Sequence, residues 1–160
     1  MFKNKKNFFD KYFAVVNSKI SIIDYSSLIK ISKMMKKMKK KNKIILVGNG
    51  GSASMASHVA VDITKFLKIR AVNFNEPNLL TCFGNDYGYE DLFSRQIEGI
   101  GANGDLFMGI STSGNSPNII KGIKTAGSMG LITAGLTGEG DSEMDAICEV
   151  LVKIPSRETP

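Results

Sequence analysis

The chain has 160 residues, 42% of them hydrophobic, enough to bury a full core in one modest domain. Its net charge of +6 is uneven: residues 1–43 hold thirteen Lys against Asp10 and Asp24, giving +11, while residues 44–160 hold eight basic and thirteen acidic groups, giving −5. Two cysteines, Cys82 and Cys148, are too few for a disulfide framework and fit a reducing cytoplasm.

The first residues, MFKNKKNFFDKYFAVV, have a basic head, but Asp10 and Lys11 interrupt the apolar stretch, so the segment does not read as a signal peptide. No run approaches the ~20 apolar residues of a membrane span, and no membrane association is expected. Phe9, Phe13, Val16 and Ile20 recur at helical spacing, as do Leu28, Ile31, Met35 and Met38, which predicts an N-terminal helix pair over residues 1–42. Such stripes need burial against the domain or a neighbouring subunit. Lys36, Lys37, Lys39, Lys40 and Lys41 have no interleaved aromatic residues and read as a solvated face, not a nucleic-acid surface.

Beyond residue 43 the pattern alternates. Strands are predicted near 43–48, 70–74, 105–110, 131–136 and 150–154. Helices are predicted near 52–67, 89–100, 116–129 and 141–147, with a short one after Pro77. Alternation of this kind predicts an α/β fold, a doubly wound five-stranded parallel sheet whose ligands sit outside the carboxyl ends of the strands. Two turns lie at such ends. The first, VGNGGSASMASH, contains Gly48, Gly50 and Gly51, which permit close backbone approach, with Ser52 placed to cap the following helix. It lacks the spacing of a dinucleotide fingerprint, and no nucleoside-triphosphate loop occurs either. The second, GISTSGNSPN, places Ser111, Thr112, Ser113 and Ser116 around a helix start, with Ser116 at the cap and Pro117 just inside it. Four hydroxyl groups and a helix N-terminus can hold a phosphate without Lys or Arg, which points to a small phosphorylated molecule. The segment Gly84-Asn85-Asp86-Tyr87-Gly88 is predicted as a loop reaching the same crevice.

His58, the sole histidine, and Asp62 are four residues apart on one helical face, where they can share a hydrogen bond or grip a metal ion. Spacing alone leaves both open. GNGGSA, the His58–Asp62 spacing, GNDYG followed by FSRQ, and GISTSGNSPN together resemble the sugar isomerase (SIS) domain family, most closely the phosphoheptose isomerases, in order over residues 43–160. The resemblance implies a flavodoxin-like SIS domain over 43–160, with the helices of 1–42 serving oligomerisation. It implies a cytoplasmic, zinc-dependent homotetramer with active sites between subunits, interconverting D-sedoheptulose 7-phosphate and D-glycero-D-manno-heptose 7-phosphate for bacterial lipopolysaccharide or capsule. By the same resemblance, Asn49, Gly50, Gly51, Asn85 and Asp86 contact substrate, and Ser111, Thr112, Ser113 and Ser116 hold its phosphate. His58 and Asp62 ligate Zn2+, with Asp62 as the base that moves the proton between C1 and C2.

Two departures stand out. The family usually carries Glu at Asp62, and the shorter carboxylate ends about 1.5 Å further back, where a misplacement of ~1 Å costs roughly a hundredfold in rate. The family also continues past residues 155–160 into a helix bearing a Gln and a His that complete the metal site, so the 160-residue chain is expected to bind phosphate yet turn over little. SIS folds serve as well as phosphosugar-sensing domains and as a non-enzymatic partner of the bacterial replication initiator. The lysine-rich helix suits such an interaction role, whereas the intact GNDYG and STSGNS segments suit the enzyme.

Overall fold

The computed structural model describes residues 3–156. Helices α1 (Lys3–Ile20) and α2 (Tyr25–Lys37) precede β1 (Ile44–Gly48), α3 (Gly51–Asp62), a wider π-helical turn (Ile63–Leu67), β2 (Ala71–Asn73) and α4 (Pro77–Tyr87). A 3-10 turn (Tyr89–Asp91), α5 (Leu92–Ile100), β3 (Leu106–Ser111), α6 (Pro117–Ser128), β4 (Ile132–Gly138), α7 (Met144–Ile147) and β5 (Val150–Ile154) follow. All five strands pair in parallel, in the order β2-β1-β3-β4-β5. This is the flavodoxin-like order, and the direction of winding switches between β1 and β3. The expected α/β fold and its five strands are borne out.

Residues alternate along each strand between two buried faces. Ile45, Val47 and Phe107 pack with Phe93 and Ile97 of α5 and with Ile119 and Ile123 of α6. Ile44, Leu46 and Leu106 face the other way, onto Ala56 and Ala60 of α3 and Ile31 of α2. Helix α2 therefore shares the sheet's core, with Met34, Met35 and Met38 lying against it. Helix α1 does not: Phe9, Phe13 and Ile20 of its stripe are exposed.

At the amino ends of the strands, the fully buried Asp105 ties β1 to β3. Its carboxylate accepts the Lys43 N–H at 2.9 Å and the Ala102 N–H at 3.0 Å, and pairs with the Lys43 ammonium. Burial alone would raise its pKa, but the bonds from Lys43, Asn42 and Ala102 outweigh burial and hold it below the usual carboxylate range.

Two local expectations are corrected. The segment 84–88 is no loop, because α4 continues through Tyr87 and only Gly88, at φ 84°, ends it. The helix foreseen over 52–67 keeps α-helical bonding only to Asp62 before widening, and it ends at Lys68 in the left-handed region.

Candidate phosphate-binding crevice

The two glycine-serine turns leave β1 and β3, adjacent strands at the switch point. At the end of β1 the chain doubles back so tightly that a Cβ on Gly48 would lie 2.5 Å from the Ser52 carbonyl carbon, and Gly50 follows with φ 53°. Gly50, not Ser52, occupies the cap of α3, and no side chain bonds the helix's first N–H groups from that position. The conformation that glycine tolerates thus displaces the residue that would have capped the helix.

The second turn is packed from behind. Gly114, at φ 67°, sits where a Cβ would strike Ser142 and Thr137. The Asn115 amide oxygen accepts the Glu143 N–H at 2.7 Å, and the Thr112 carbonyl accepts the Gly138 N–H at 3.0 Å. These bonds fasten the turn to β4 and to the loop before α7. Ser116 caps α6 by position, with Pro117 next, as read from the sequence. Its hydroxyl does not bond the helix, however; it lies 2.9 Å from that of Ser111, which in turn lies 3.5 Å from that of Ser113. Ser111 is buried, Ser116 half-buried, and Thr112 and Ser113 exposed, so the hydroxyl cluster runs from the core to solvent.

Neither cap residue at the crevice, Gly50 or Ser116, satisfies its helix, whereas Asp24 at the start of α2 accepts the Ser26 N–H at 2.8 Å. Two helix N-termini with no acidic residue in their first turns lie beside three clustered hydroxyls, an arrangement suited to an anion.

Two residues in this arrangement, Asn118 and Tyr89, were missed by sequence reasoning. Asn118, in the first turn of α6 and 2% exposed, pairs reciprocally with Asn49 of the first turn: Asn49 Nδ2 donates to Asn118 Oδ1 at 3.0 Å and Asn118 Nδ2 donates to Asn49 Oδ1 at 2.9 Å. The Tyr89 hydroxyl donates to Asn49 Oδ1, also at 2.9 Å. The polar residue closing GISTSGNSPN was the available signal. Asn85 and Asp86 lie on the exposed last turn of α4, joined by a bond from Asn85 Nδ2 to Asp86 Oδ1 of 2.9 Å. The segment that follows is held over α6 by Lys121, 3.3 Å from Glu90 and 3.1 Å from Asp91, and those carboxylates raise the lysine's pKa.

His58 and Asp62 do face each other, with Nε2 and Oδ2 3.5 Å apart, but His58 is exposed and Asp62 partly exposed. They lie further along α3: Asp62 is eleven positions beyond Gly51, about 16 Å of helix, and His58 seven positions, about 10 Å. An imidazole nitrogen and a carboxylate oxygen suit zinc in kind, yet a catalytic site takes three protein ligands. No third His, Cys, Asp or Glu joins them among the described residues. Nor is Cys148 a reactive substitute, since burial pushes its thiol up to about 12.

The chain matches the family model for the SIS domain over residues 11–138. It is 47% identical over 125 residues to a phosphoheptose isomerase of Aneurinibacillus thermoaerophilus, covering 74% of this chain and 63% of that one. It is 44% identical over 128 residues to a phosphoheptose isomerase of Akkermansia muciniphila, covering 76% and 68%. The chain thus spans about two thirds of the length of these relatives. Its fold superposes on the structure of a phosphoheptose isomerase from Neisseria gonorrhoeae with a TM-score of 0.85 and 31% identity, over 98% of this chain and 87% of that one. With the matched span holding both strand-exit turns and the His58–Asp62 pair, the chain belongs to the SIS domain family.

Proposed function

We propose that the protein is an aldose–ketose isomerase that interconverts D-sedoheptulose 7-phosphate and D-glycero-D-manno-heptose 7-phosphate, a step towards bacterial surface heptose. The observation that carries this reading is the crevice itself, where two helix N-termini without acidic residues in their first turns flank Ser111, Ser113 and Ser116. It takes the phosphate. Relatives bearing the name phosphoheptose isomerase, at 47% and 44% identity, favour the seven-carbon substrate over other phosphosugars and an enzyme over a purely binding role.

The phosphate anchors the far end of the sugar, so binding energy remote from the reacting carbons aligns them. Thr112 joins the serines on the phosphate, while Asn49, Gly50, Gly51, Asn85 and Asp86 are assigned to the sugar. Isomerisation needs a base that removes a proton from one carbon and, after exchange with solvent, delivers one to its neighbour through an ene-diol, and Asp62 is the candidate carboxylate. A seven-carbon chain with C–C bonds of ~1.5 Å spans only about 9 Å. Asp62 lies about 16 Å along α3 from the first turn, so it does not serve the crevice of its own copy. It serves a neighbouring one. The active site is therefore shared between copies, in keeping with a homo-oligomer, which we assign as a tetramer, and with the exposed apolar residues of α1. His58 and Asp62 would supply two donors to a zinc site that one copy's described residues do not complete; when bound, the metal would supply Lewis-acid polarisation of the carbonyl.

The reading is tested by incubating the intact protein with sedoheptulose 7-phosphate in D2O. The expected result is an aldose 7-phosphate with deuterium at C2. Recovery of unlabelled ketose alone would overturn it.

A further inference from the structure

We infer that Asn118 and Tyr89 are positioning residues that turn Asn49 into a pure hydrogen-bond donor towards the substrate; the inference rests on the sugar-phosphate reading above. A primary amide can donate twice and accept twice, and its two ends are interchangeable unless neighbours fix them. Here the neighbours form a chain. The backbone N–H of Ile119 can only donate, and it lies 3.0 Å from Asn118 Oδ1. That fixes the Asn118 carbonyl, so its Nδ2 must be the end facing Asn49 at 2.9 Å. Asn49 is then fixed in turn. Its Oδ1 receives both Asn118 Nδ2 and the Tyr89 hydroxyl, filling both acceptor positions, while its Nδ2 spends one hydrogen on Asn118 Oδ1. A single N–H of Asn49 is left.

That residual N–H sits on a half-buried side chain at the mouth of the first turn, which α3 leaves, and is tied through Asn118 to the first turn of α6. It suits an oxygen that accepts: a carbonyl, a phosphate oxygen or a hydroxyl lone pair. It does not suit a ligand group that must donate. Buried Asn118 supplies orientation from the core, and Tyr89, itself 61% exposed, supplies it from the segment after α4. Tyr89 acts through Asn49 and not by contact with the sugar.

A double-mutant cycle separates these roles. Removing the whole Asn118 side chain would orphan the Ile119 N–H and risks the fold, so the probe is Tyr89→Phe, which keeps the ring, combined with Asn49→Ala. Sedoheptulose 7-phosphate affinity is measured by calorimetry on the intact protein, with Tm recorded alongside. Tyr89→Phe is expected to weaken binding roughly three- to tenfold, the scale of one hydrogen bond, and to have almost no effect in the Asn49→Ala background. An equal loss in both backgrounds would place Tyr89 on the substrate and overturn the inference, as would a lower Tm with unchanged affinity. A wild-type protein that binds no sedoheptulose 7-phosphate overturns the underlying reading instead, and this inference with it.

Discussion

The crevice at the carboxyl ends of β1 and β3 and the His58–Asp62 face of α3 are both polar, yet they are built in opposite ways. In the crevice, buried Ser111 and Asn118 are held by bonds from the core outward, so each hydroxyl and amide has a set place before a ligand arrives. On α3, a 3.5 Å contact joins exposed His58 to partly exposed Asp62, with no further hydrogen bond to either side chain among the described residues. On the proposed function, phosphate binding draws on preorganisation within one copy, whereas proton transfer depends on assembly. Binding and turnover should come apart under mutation.

The largest effect is expected from Asp62→Asn. Turnover of sedoheptulose 7-phosphate should fall by roughly 10²–10⁴-fold, the range of general acid–base catalysis, while calorimetric affinity stays near wild type. A parallel loss of affinity would blur the division. Next is the triple substitution Ser111→Ala, Ser113→Ala and Ser116→Ala. It should weaken phosphate binding by about 3 kcal/mol or more, at ~1 kcal/mol or more per charge-assisted bond, and unchanged affinity would remove the cradle.

The same contrast explains what the sequence disclosed. Fold class was legible because strand and helix periods alternate cleanly from Ile44 onward, and the turns because glycine and serine cluster where a strand meets a helix. Helix α4 was not. Gly84, Asn85, Asp86 and Gly88 are turn formers, but the helix that begins at Pro77 carries through the first three, and only a positive φ at Gly88 stops it. Asn118 escaped notice because a buried amide in a helix looks like any other residue until its partner, 69 positions away, is placed. The His58–Asp62 spacing was visible, but its distance from the crevice follows only from the direction in which α3 leaves the first turn.

Helix α1 offers a gentler probe. Exchanging its exposed Phe9 and Phe13 for Ser should shift light scattering towards smaller species and lower turnover without changing phosphate affinity in the remaining monomer. The smallest effect near neutral pH is expected at the far end of the sheet. Because Asp105 has a lowered pKa when folded, its contribution to stability is present above about pH 4 and fades as the pH falls below that. Asp105→Asn should therefore lower Tm at pH 7 and flatten the acid limb of the stability curve in thermal melts.

A complementation assay tests the shared site most directly. Asp62→Asn subunits and subunits carrying the three serine substitutions, each inactive alone, are co-expressed so that mixed oligomers form. Activity should reappear, because some crevices with intact serines then face a neighbour with an intact Asp62. A mixed oligomer of verified composition that stays as inactive as either parent would contradict the account and return Asp62 to the crevice of its own copy.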